Sequence, residues 1–224
     1  MTVLDEVAVR RLASLFDRLG CALLHDAAPD VTTVVDAPLR SRTPGLSAAG
    51  PAFPVATDND MLPGLQALDL APPGSVIVLH NTTARSEALA GDIFVTACKQ
   101  RGLAGLIVDG AVRDVDSLPE LAFPVFSSQV TYVSAKTARI PAREVPEDIT
   151  LGSCTLRPGD WIFADGDGVL AVTQRYVSAV LRAAVLLAER EEELKGKLRG
   201  GETLGELCGL HDFLAGRAPL RFEV

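Results

Sequence analysis

Aromatic side chains are scarce. One Trp, two Tyr and eight Phe make up 5% of 224 residues, although 48% of the chain is hydrophobic. A core of ordinary size is therefore available, and it must be built largely from Ala, Val and Leu. Positive charge is also in short supply. Lys and Arg together number 21 against 29 Asp and Glu, for a net charge of −8 and a pI near 4.9. That balance argues against a nucleic-acid surface, where basic stripes dominate. The four cysteines, Cys21, Cys98, Cys154 and Cys208, lie far apart and form no CxxC pair. They argue against a zinc cluster or a disulfide framework and read as reduced, mostly buried thiols. His25, His80 and His211 show no metal-binding spacing. No GxGxxG loop supports a dinucleotide or adenosylmethionine site, and no GxSxG elbow supports a serine hydrolase. No apolar run is long enough to span a bilayer, and no basic segment leads into a signal-like stretch. The expectation is a soluble cytoplasmic protein with neither nucleic acid nor membrane as partner.

What is present alternates between helical and strand periodicity. Leu4, Val7, Ala8, Leu12, Leu15, Phe16 and Leu19 recur at helical spacing, with Thr2 and Asp5 as candidate caps and Gly20 as the expected end. Val31–Val35 reads as a strand. Residues 36–54, rich in Pro, Gly and Ser, read as loops, with a short strand at Ala52–Val55. Met61–Leu70 reads as a weak helix, and the Pro72-Pro73-Gly74-Ser75 turn feeds a strand at Val76–Leu79. A helix follows from Asp92 to Arg101, with Ile93, Phe94, Ala97 and Cys98 as its apolar face and Gly102 as its stop. Ala104–Val108 is a continuous apolar run, suited to a strand buried on both faces, and Asp109–Asp114 reads as the loop beyond it. Pro124–Phe126 is the next short strand. Asp165-Gly166-Asp167-Gly168 reads as a hairpin turn between Trp161–Ala164 and Val169–Val172. It is not an EF-hand loop, because Leu170 and Tyr176 stand where Gly and Glu are needed. Thr173 is the expected cap of a long final helix whose apolar side is Val177, Val180, Leu181, Ala184, Leu187 and Ala188.

The chemistry concentrates in the middle. Ligands of α/β folds sit beyond the carboxyl ends of strands, where Arg113 and Asp114 stand side by side. Arginine offers a planar fork for a carboxylate, and aspartate is a hard oxygen ligand for Mg²⁺ or Mn²⁺. The helix start at Gly91–Phe94 offers unpaired N–H groups suited to a small carboxylate. Each residue alone has a plainer reading. Asp92 would be a helix-start charge, Arg113–Asp114 a surface pair and Asp109 a turn acceptor. Lys99, Lys136, Lys195 and Lys197 are the only lysines. None sits in a pattern that suggests a Schiff-base pocket, so metal chemistry is favoured.

The stretch Gly91-Asp92-Ile93-Phe94 … Gly102-Leu103-Ala104-Gly105-Leu106-Ile107-Val108-Asp109-Gly110-Ala111-Val112-Arg113-Asp114 resembles the signature of the RraA-like proteins. That family includes the class II 4-hydroxy-4-methyl-2-oxoglutarate aldolases. An Asp, twenty residues and an Arg-Asp pair match its spacing (113 − 92 − 1 = 20). Arg157-Pro158-Gly159-Asp160 and Ala164–Val169 are similar to its later blocks, so the likeness covers roughly residues 20–175.

The resemblance implies an α/β fold: a compact β/β/α sandwich of the swivelling type, as one domain over residues 1–224 with a C-terminal helical extension over 174–224. It implies a divalent-metal pyruvate aldolase with oxaloacetate decarboxylase activity, acting on a small 2-oxo acid. It assigns Asp114 as the direct ligand of Mg²⁺ or Mn²⁺, and Asp92 as holding metal-bound water. It assigns Arg113 to the keto acid and the enolate. Gly91 and the backbone amides of Ile93 and Phe94 would receive the pyruvyl carboxylate. It further implies a homotrimer or hexamer, with an acidic residue near Glu189, Glu191 or Glu192 completing a neighbouring site. Arg85, Arg139 and Arg143 are candidates for the far end of the substrate. The alternative within the family is a regulator that binds ribonuclease E. Retention of both Asp92 and Asp114 favours catalysis.

Overall fold

The computed structural model describes residues 6–83, 87–136 and 144–221. The suggested caps Thr2 and Asp5, and Arg85, Arg139 and Arg143, lie outside them. The elements run α1 (Glu6–Phe16), α2 (Gly20–Ala27), β1 (Thr32–Val34), β2 (Arg40–Ser41), β3 (Ala48–Thr57) and α3 (Met61–Leu70). Then come β4 (Val76–Asn81), β5 (Ala88–Ala90), α4 (Asp92–Gln100), β6 (Gly105–Val112) and β7 (Val125–Val130). The chain continues with β8 (Ile149–Leu151), β9 (Cys154–Leu156), β10 (Trp161–Ala164), β11 (Val169–Val172), α5 (Val177–Arg199), α6 (Leu204–Leu207) and α7 (Leu210–Leu214).

The main sheet runs β1-β11-β10-β3-β4-β6-β7-β2, with β5 added beside β6, and β8-β9 forms a separate hairpin. Strands β3, β4, β6 and β7 are parallel neighbours, while β3-β10-β11-β1 are antiparallel. Three packed layers follow. Phe94, Val95 and Cys98 of α4 and Ala67 of α3 cover one face of the parallel strands. The opposite face packs on β8, β9 and the β10–β11 hairpin through Val78, Ile107, Phe126, Leu151, Leu156 and Ile162. The outer side of that hairpin is sealed by α1, α2 and α5, with Trp161 and Phe163 fully buried against Phe16, Leu24 and Val180. This is the expected α/β sandwich with a long helix near its C-terminus.

Several boundaries differ from the sequence expectation. The Pro- and Gly-containing stretch around Gly50-Pro51 is part of a ten-residue strand, β3, rather than a loop before a short one. It changes partner midway: Ala48–Pro51 pair with β10, and Ala52–Thr57 pair with β4. Ala52 bonds away from β4, to Asp160 and Gly159. By strand alternation Pro54 also directs its absent N–H away from β4, so neither ladder loses a bond.

Gly20 opens α2 rather than closing the first helix, which ends at Phe16. Its φ of +78° and the Asp165 carboxylate beside it explain the choice. Asp165 Oδ2 accepts the Cys21 N–H at 2.7 Å and lies 3.1 Å from where a Gly20 Cβ would stand. The Asp-Gly-Asp-Gly hairpin turn thus also anchors the start of a helix, with Asp165 Oδ1 accepting the Asp167 N–H. Thr173 makes no side-chain cap. A short turn at Gln174–Tyr176 precedes α5, and a Thr203–Glu206 capping box restarts the chain after it. At 23 residues α5 is about 35 Å long. Only its first part is buried, at Val177, Val180, Leu181 and Ala184.

All four cysteines are free and buried. Burial pushes the Cys98 thiol up to about 12. It also raises the Cys21 thiol, reinforced by the charge of Asp165, and the Cys154 thiol, where Asp160 adds. The thiolate is the reactive form. Native protein at pH 8 is therefore expected to react with an aromatic disulfide reagent far more slowly than unfolded protein, which should titrate four thiols. Rapid labelling of two or more thiols without unfolding would contradict this packing.

Candidate functional site

The site forms where β5 joins β6. The short strand β5 lies parallel to the end of β6, with Ala88 opposite Ala111 and Ala90 opposite Val112. The Arg113 N–H then donates to the Ala90 carbonyl at 3.0 Å. This pairing sets the turn into α4 directly against the Arg113–Asp114 corner. Strand β6 runs to Val112, so Asp109–Val112 belong to it and not to a loop, and all eight of its residues are buried. The Asp-Gly pair read as a turn is held in the strand because Asp109, 1% exposed, finds His80 on the paired strand β4. His80 Nδ1 lies 2.8 Å from Asp109 Oδ2. A carboxylate inside a sheet needs such a partner. That pair projects on the sheet face opposite α4, along with Ile107 and Val78.

Asp114 organises the corner. Its φ of +59° is left-handed, a conformation that Asp tolerates better than most residues. Its carbonyl accepts from the Ser117 and Leu118 N–H groups and from Ser117 Oγ. Its carboxylate Oδ2 accepts from Arg113 Nε at 3.0 Å and from the Asp92 N–H at 3.3 Å. Partial burial pushes the Asp114 carboxyl up, but the Arg113 hydrogen bond and charge and the Asp92 N–H outweigh it. The net result lies below the usual carboxylate range. Asp114 is thus an anion at neutral pH, fixed by two donors on a single oxygen.

Gly91 is the N-cap of α4, and the approach of Asp114 makes its lack of a side chain necessary. A Cβ there would lie 2.3 Å from Asp114 Oδ2 and 2.9 Å from Arg113 Cγ. The Asp92 carboxylate turns onto its own helix, where Oδ1 accepts the Ile93 N–H at 2.7 Å. Of the two amides expected to face a ligand, that of Ile93 is thus already bonded. The N–H of Phe94 remains in the unpaired first turn. The Ile93 side chain is 82% exposed, not on the apolar face of α4, which is made by Phe94, Val95 and Cys98. Lys99 lies apart from the site, donating to the Leu121 carbonyl. Glu189 and Glu192 are exposed on α5, with Lys195 bridging Glu191 and Glu192.

Gly91, Asp92, Ile93, Phe94, Arg113 and Asp114 share one cavity of about 250 Å³. Met61, Leu65 and Leu68 of α3 and Ser134 also line it. Sequence reasoning missed these residues. The spacing of Met61, Leu65 and Leu68 marks one helix face, but which strand end that face overhangs is a tertiary fact. A second, more open cleft meets the same Asp92, Arg113 and Asp114 and is lined by Val130, Thr131 and Tyr132.

No group of three or more His, Cys, Asp or Glu among the described residues is arranged to hold a metal ion. The donor set suits an ion of the Mg²⁺ type nonetheless. Such an ion keeps several waters and binds through one or two carboxylates, and Asp114 and Asp92 are adjacent, with Asp114 held ionised. No helix among the described residues is long and apolar enough to cross a membrane.

Residues 21–171 match the sequence profile of the RraA-like family, described as Aldolase/RraA. A Halalkalibacterium halodurans protein named "Putative 4-hydroxy-4-methyl-2-oxoglutarate aldolase" is 38% identical over 136 residues, which is 60% of this chain and 64% of that protein. The chain thus spans less than two thirds of the length of that relative. A solved structure of an uncharacterised Pseudomonas syringae pv. tomato protein superposes with a TM-score of 0.78 at 26% identity, covering 92% of this chain and 98% of that one. The RNA-processing inhibitor RraA from Thermus thermophilis shares the fold, with a TM-score of 0.61 at 23% identity over 67% of this chain and 90% of its own. The matched region contains the whole Gly91–Asp114 corner, and the chain belongs to the RraA-like family.

Proposed function

We propose that this chain is a divalent-metal-dependent pyruvate aldolase. It cleaves 2-oxo acids of the 4-hydroxy-4-methyl-2-oxoglutarate type and decarboxylates oxaloacetate. The observation that carries this reading is the meeting of Asp92, Arg113 and Asp114 around the side-chain-free Gly91, at the edge of a cavity sized for a small acid. The name of the Halalkalibacterium relative supports the same activity.

Asp114 would hold Mg²⁺ or Mn²⁺ directly, and Asp92 would hold it through water. When bound, the ion supplies Lewis-acid polarisation of the 2-keto group. The remaining work belongs to the chain. Arg113 Nε is committed to Asp114, which leaves the two Nη groups of the fork to meet the keto acid and the negative charge that grows on C2–C3 as the bond beyond C3 breaks. The amino terminus of α4, with Phe94 N–H unpaired, favours the substrate carboxylate. Retro-aldol cleavage and oxaloacetate decarboxylation both leave the pyruvate enolate, so one charge-stabilising site serves both.

A cluster of exposed apolar side chains flanks the site: Ile93, Val130 and Tyr132, the last 92% exposed. It supports assembly of copies around this cleft, as a homotrimer or hexamer. Ribonuclease E regulation by protein contact is the competing reading, and fold likeness alone supports it.

The test is pyruvate release from oxaloacetate and 4-hydroxy-4-methyl-2-oxoglutarate, with Mg²⁺, with Mn²⁺ and after chelation. Release from both that disappears on chelation and returns with metal is the expected outcome. Undiminished release after exhaustive chelation would exclude the metal mechanism, and no release from either would favour the protein-binding reading.

A further inference from the structure

Strand β6 carries an extra residue just before it delivers Arg113 and Asp114. Val108 pairs with Ser127 and Ala111 with Gln129, so Asp109 and Gly110 stand against Ser128 alone. That is a β-bulge. On its other side β6 changes neighbour at the same point. Pairing with β4 ends at Asp109, opposite His80, and pairing with β5 begins at Ala111. The regular ladders on both flanks are thus interrupted together. A shift of the bulge by one residue would turn the side chains beyond it to the opposite face of the sheet. Arg113 and Asp114 would then leave the start of α4.

Two contacts oppose that shift. Gly110 is wedged between the ends of β4 and β5, where a Cβ would lie 3.2 Å from Asn81 Cβ and 3.4 Å from Leu89 Cδ1. The directional contact is the one from His80 Nδ1 to Asp109 Oδ2, at 2.8 Å. Against a carboxylate acceptor, Nδ1 is the donor. Asp109 is 1% exposed, so losing this donor is costly. A one-residue shift would also turn Asp109 toward the apolar cluster of Leu79, Leu89 and Phe94. His80 itself stands on an anchored strand end. Its neighbour Asn81 accepts the Asn59 N–H at 3.0 Å and donates to Asn59 Oδ1 at 2.7 Å.

We infer that His80 is a positioning residue for the Arg113–Asp114 corner. Its hydrogen bond to Asp109 locks the β6 bulge in the register that turns both side chains to the start of α4. His80 lies on the opposite face of the sheet and acts only through Asp109. The expected effect on turnover rests on the lyase reading above, whereas the effect on the strand is measured without it.

The test compares His80→Ala with His80→Asn in the full chain. The His80 side chain is 19% exposed, so water can enter the space left by Ala and hydrate Asp109 without fixing it. Asn places an N–H donor where Nδ1 stood. Amide hydrogen exchange followed by NMR reads two bonds beyond the bulge, Arg113 N–H to the Ala90 carbonyl and Thr131 N–H to the Val112 carbonyl. The reference is a bond before it, Leu106 N–H to the Pro124 carbonyl. In His80→Ala, exchange at Arg113 and Thr131 should quicken at least about tenfold relative to Leu106, as a local opening does. Release of pyruvate from oxaloacetate should lose at least about tenfold in kcat, with KM within about threefold of natural. His80→Asn should restore both.

Equal quickening at Leu106 would reveal a general loss of stability and overturn the inference. Natural exchange and turnover in His80→Ala would overturn it too, as would a His80→Asn protein as impaired as His80→Ala. If His80→Ala does not fold, His80→Ser takes its place under the same expectations, since its hydroxyl is too short to reach Asp109. If the natural chain releases no pyruvate with metal present, the lyase reading falls and the exchange pattern alone decides the role of His80.

Discussion

Replacing Asp114 by Asn is expected to reduce metal-dependent pyruvate release by at least about 10³-fold while leaving the folded protein intact. Asn is the informative substitution, because residue 114 has a φ of +59°, and Asn tolerates that conformation where Ala adds strain of about 1 kcal/mol or more. It keeps the shape of the side chain and its acceptor for Arg113 Nε and Asp92 N–H, so only the charge is lost. That charge is what the proposed metal site depends on, since Arg113 and the α4 amino terminus hold Asp114 ionised at neutral pH. Arg113→Ala should produce a loss of about 10²–10³-fold or more, the usual consequence of removing a donor aimed at developing charge. It also frees Asp114 from one of its two side-chain bonds. Both side chains are partly exposed, 40% and 28%, so stability should change by less than about 1 kcal/mol. Circular dichroism melts alongside Mn²⁺ titration check the pair of claims. Full turnover by Asp114→Asn in chelated buffer would sink the metal mechanism, whatever the fate of Arg113→Ala.

The helices and strands that could be read from the sequence are those whose local pattern agrees with their tertiary setting. α3 matches its expected span, and Trp161–Ala164 and Val169–Val172 pair as the expected antiparallel hairpin. The misread segments are those in which a neighbour overrides a local signal. Asp109-Gly110 looks like a turn until His80 supplies a partner for the buried carboxylate. Gly50 and Pro51 look like a loop until the strand changes partners beside them. A glycine at positive φ fits either end of a helix, and only Asp165, 145 positions beyond Gly20, decides that it opens one. In the site, the spacing from Asp92 to Arg113–Asp114 foretold their meeting because one helix and one strand connect them. The α3 lining residues belong to a different unit of the chain, and nothing local to Met61 or Leu65 indicates which strand end they overhang. The use of the Ile93 amide by Asp92 was hidden for a related reason. A side chain that caps its own helix and one that faces a ligand have the same sequence.

The site makes its sharpest prediction at Gly91. Its φ of −148° is extended backbone that any residue can adopt, so alanine there carries no conformational penalty. The obstacle is steric and local: the new Cβ would stand 2.3 Å from Asp114 Oδ2 and 2.9 Å from Arg113 Cγ. Both obstructing atoms belong to side chains at the cavity rim, so they can move aside without disturbing the core. Gly91→Ala is therefore expected to melt within about 3 °C of the natural chain yet lose about 10²-fold or more in pyruvate release, the scale of a 1 Å misplacement of catalytic groups. Its Mn²⁺ affinity should fall as well, because the carboxylate displaced is the proposed direct ligand. Natural activity in a well-folded Gly91→Ala protein would show that the close packing of Asp114 on the start of α4 is not what organises the chemistry. A large fall in melting temperature would show instead that the backbone, and not the two side chains, yields to the added methyl group. The expected combination of intact fold, weakened metal binding and lost turnover would tie the function to the contact between one glycine and one aspartate that the β5–β6 pairing brings together.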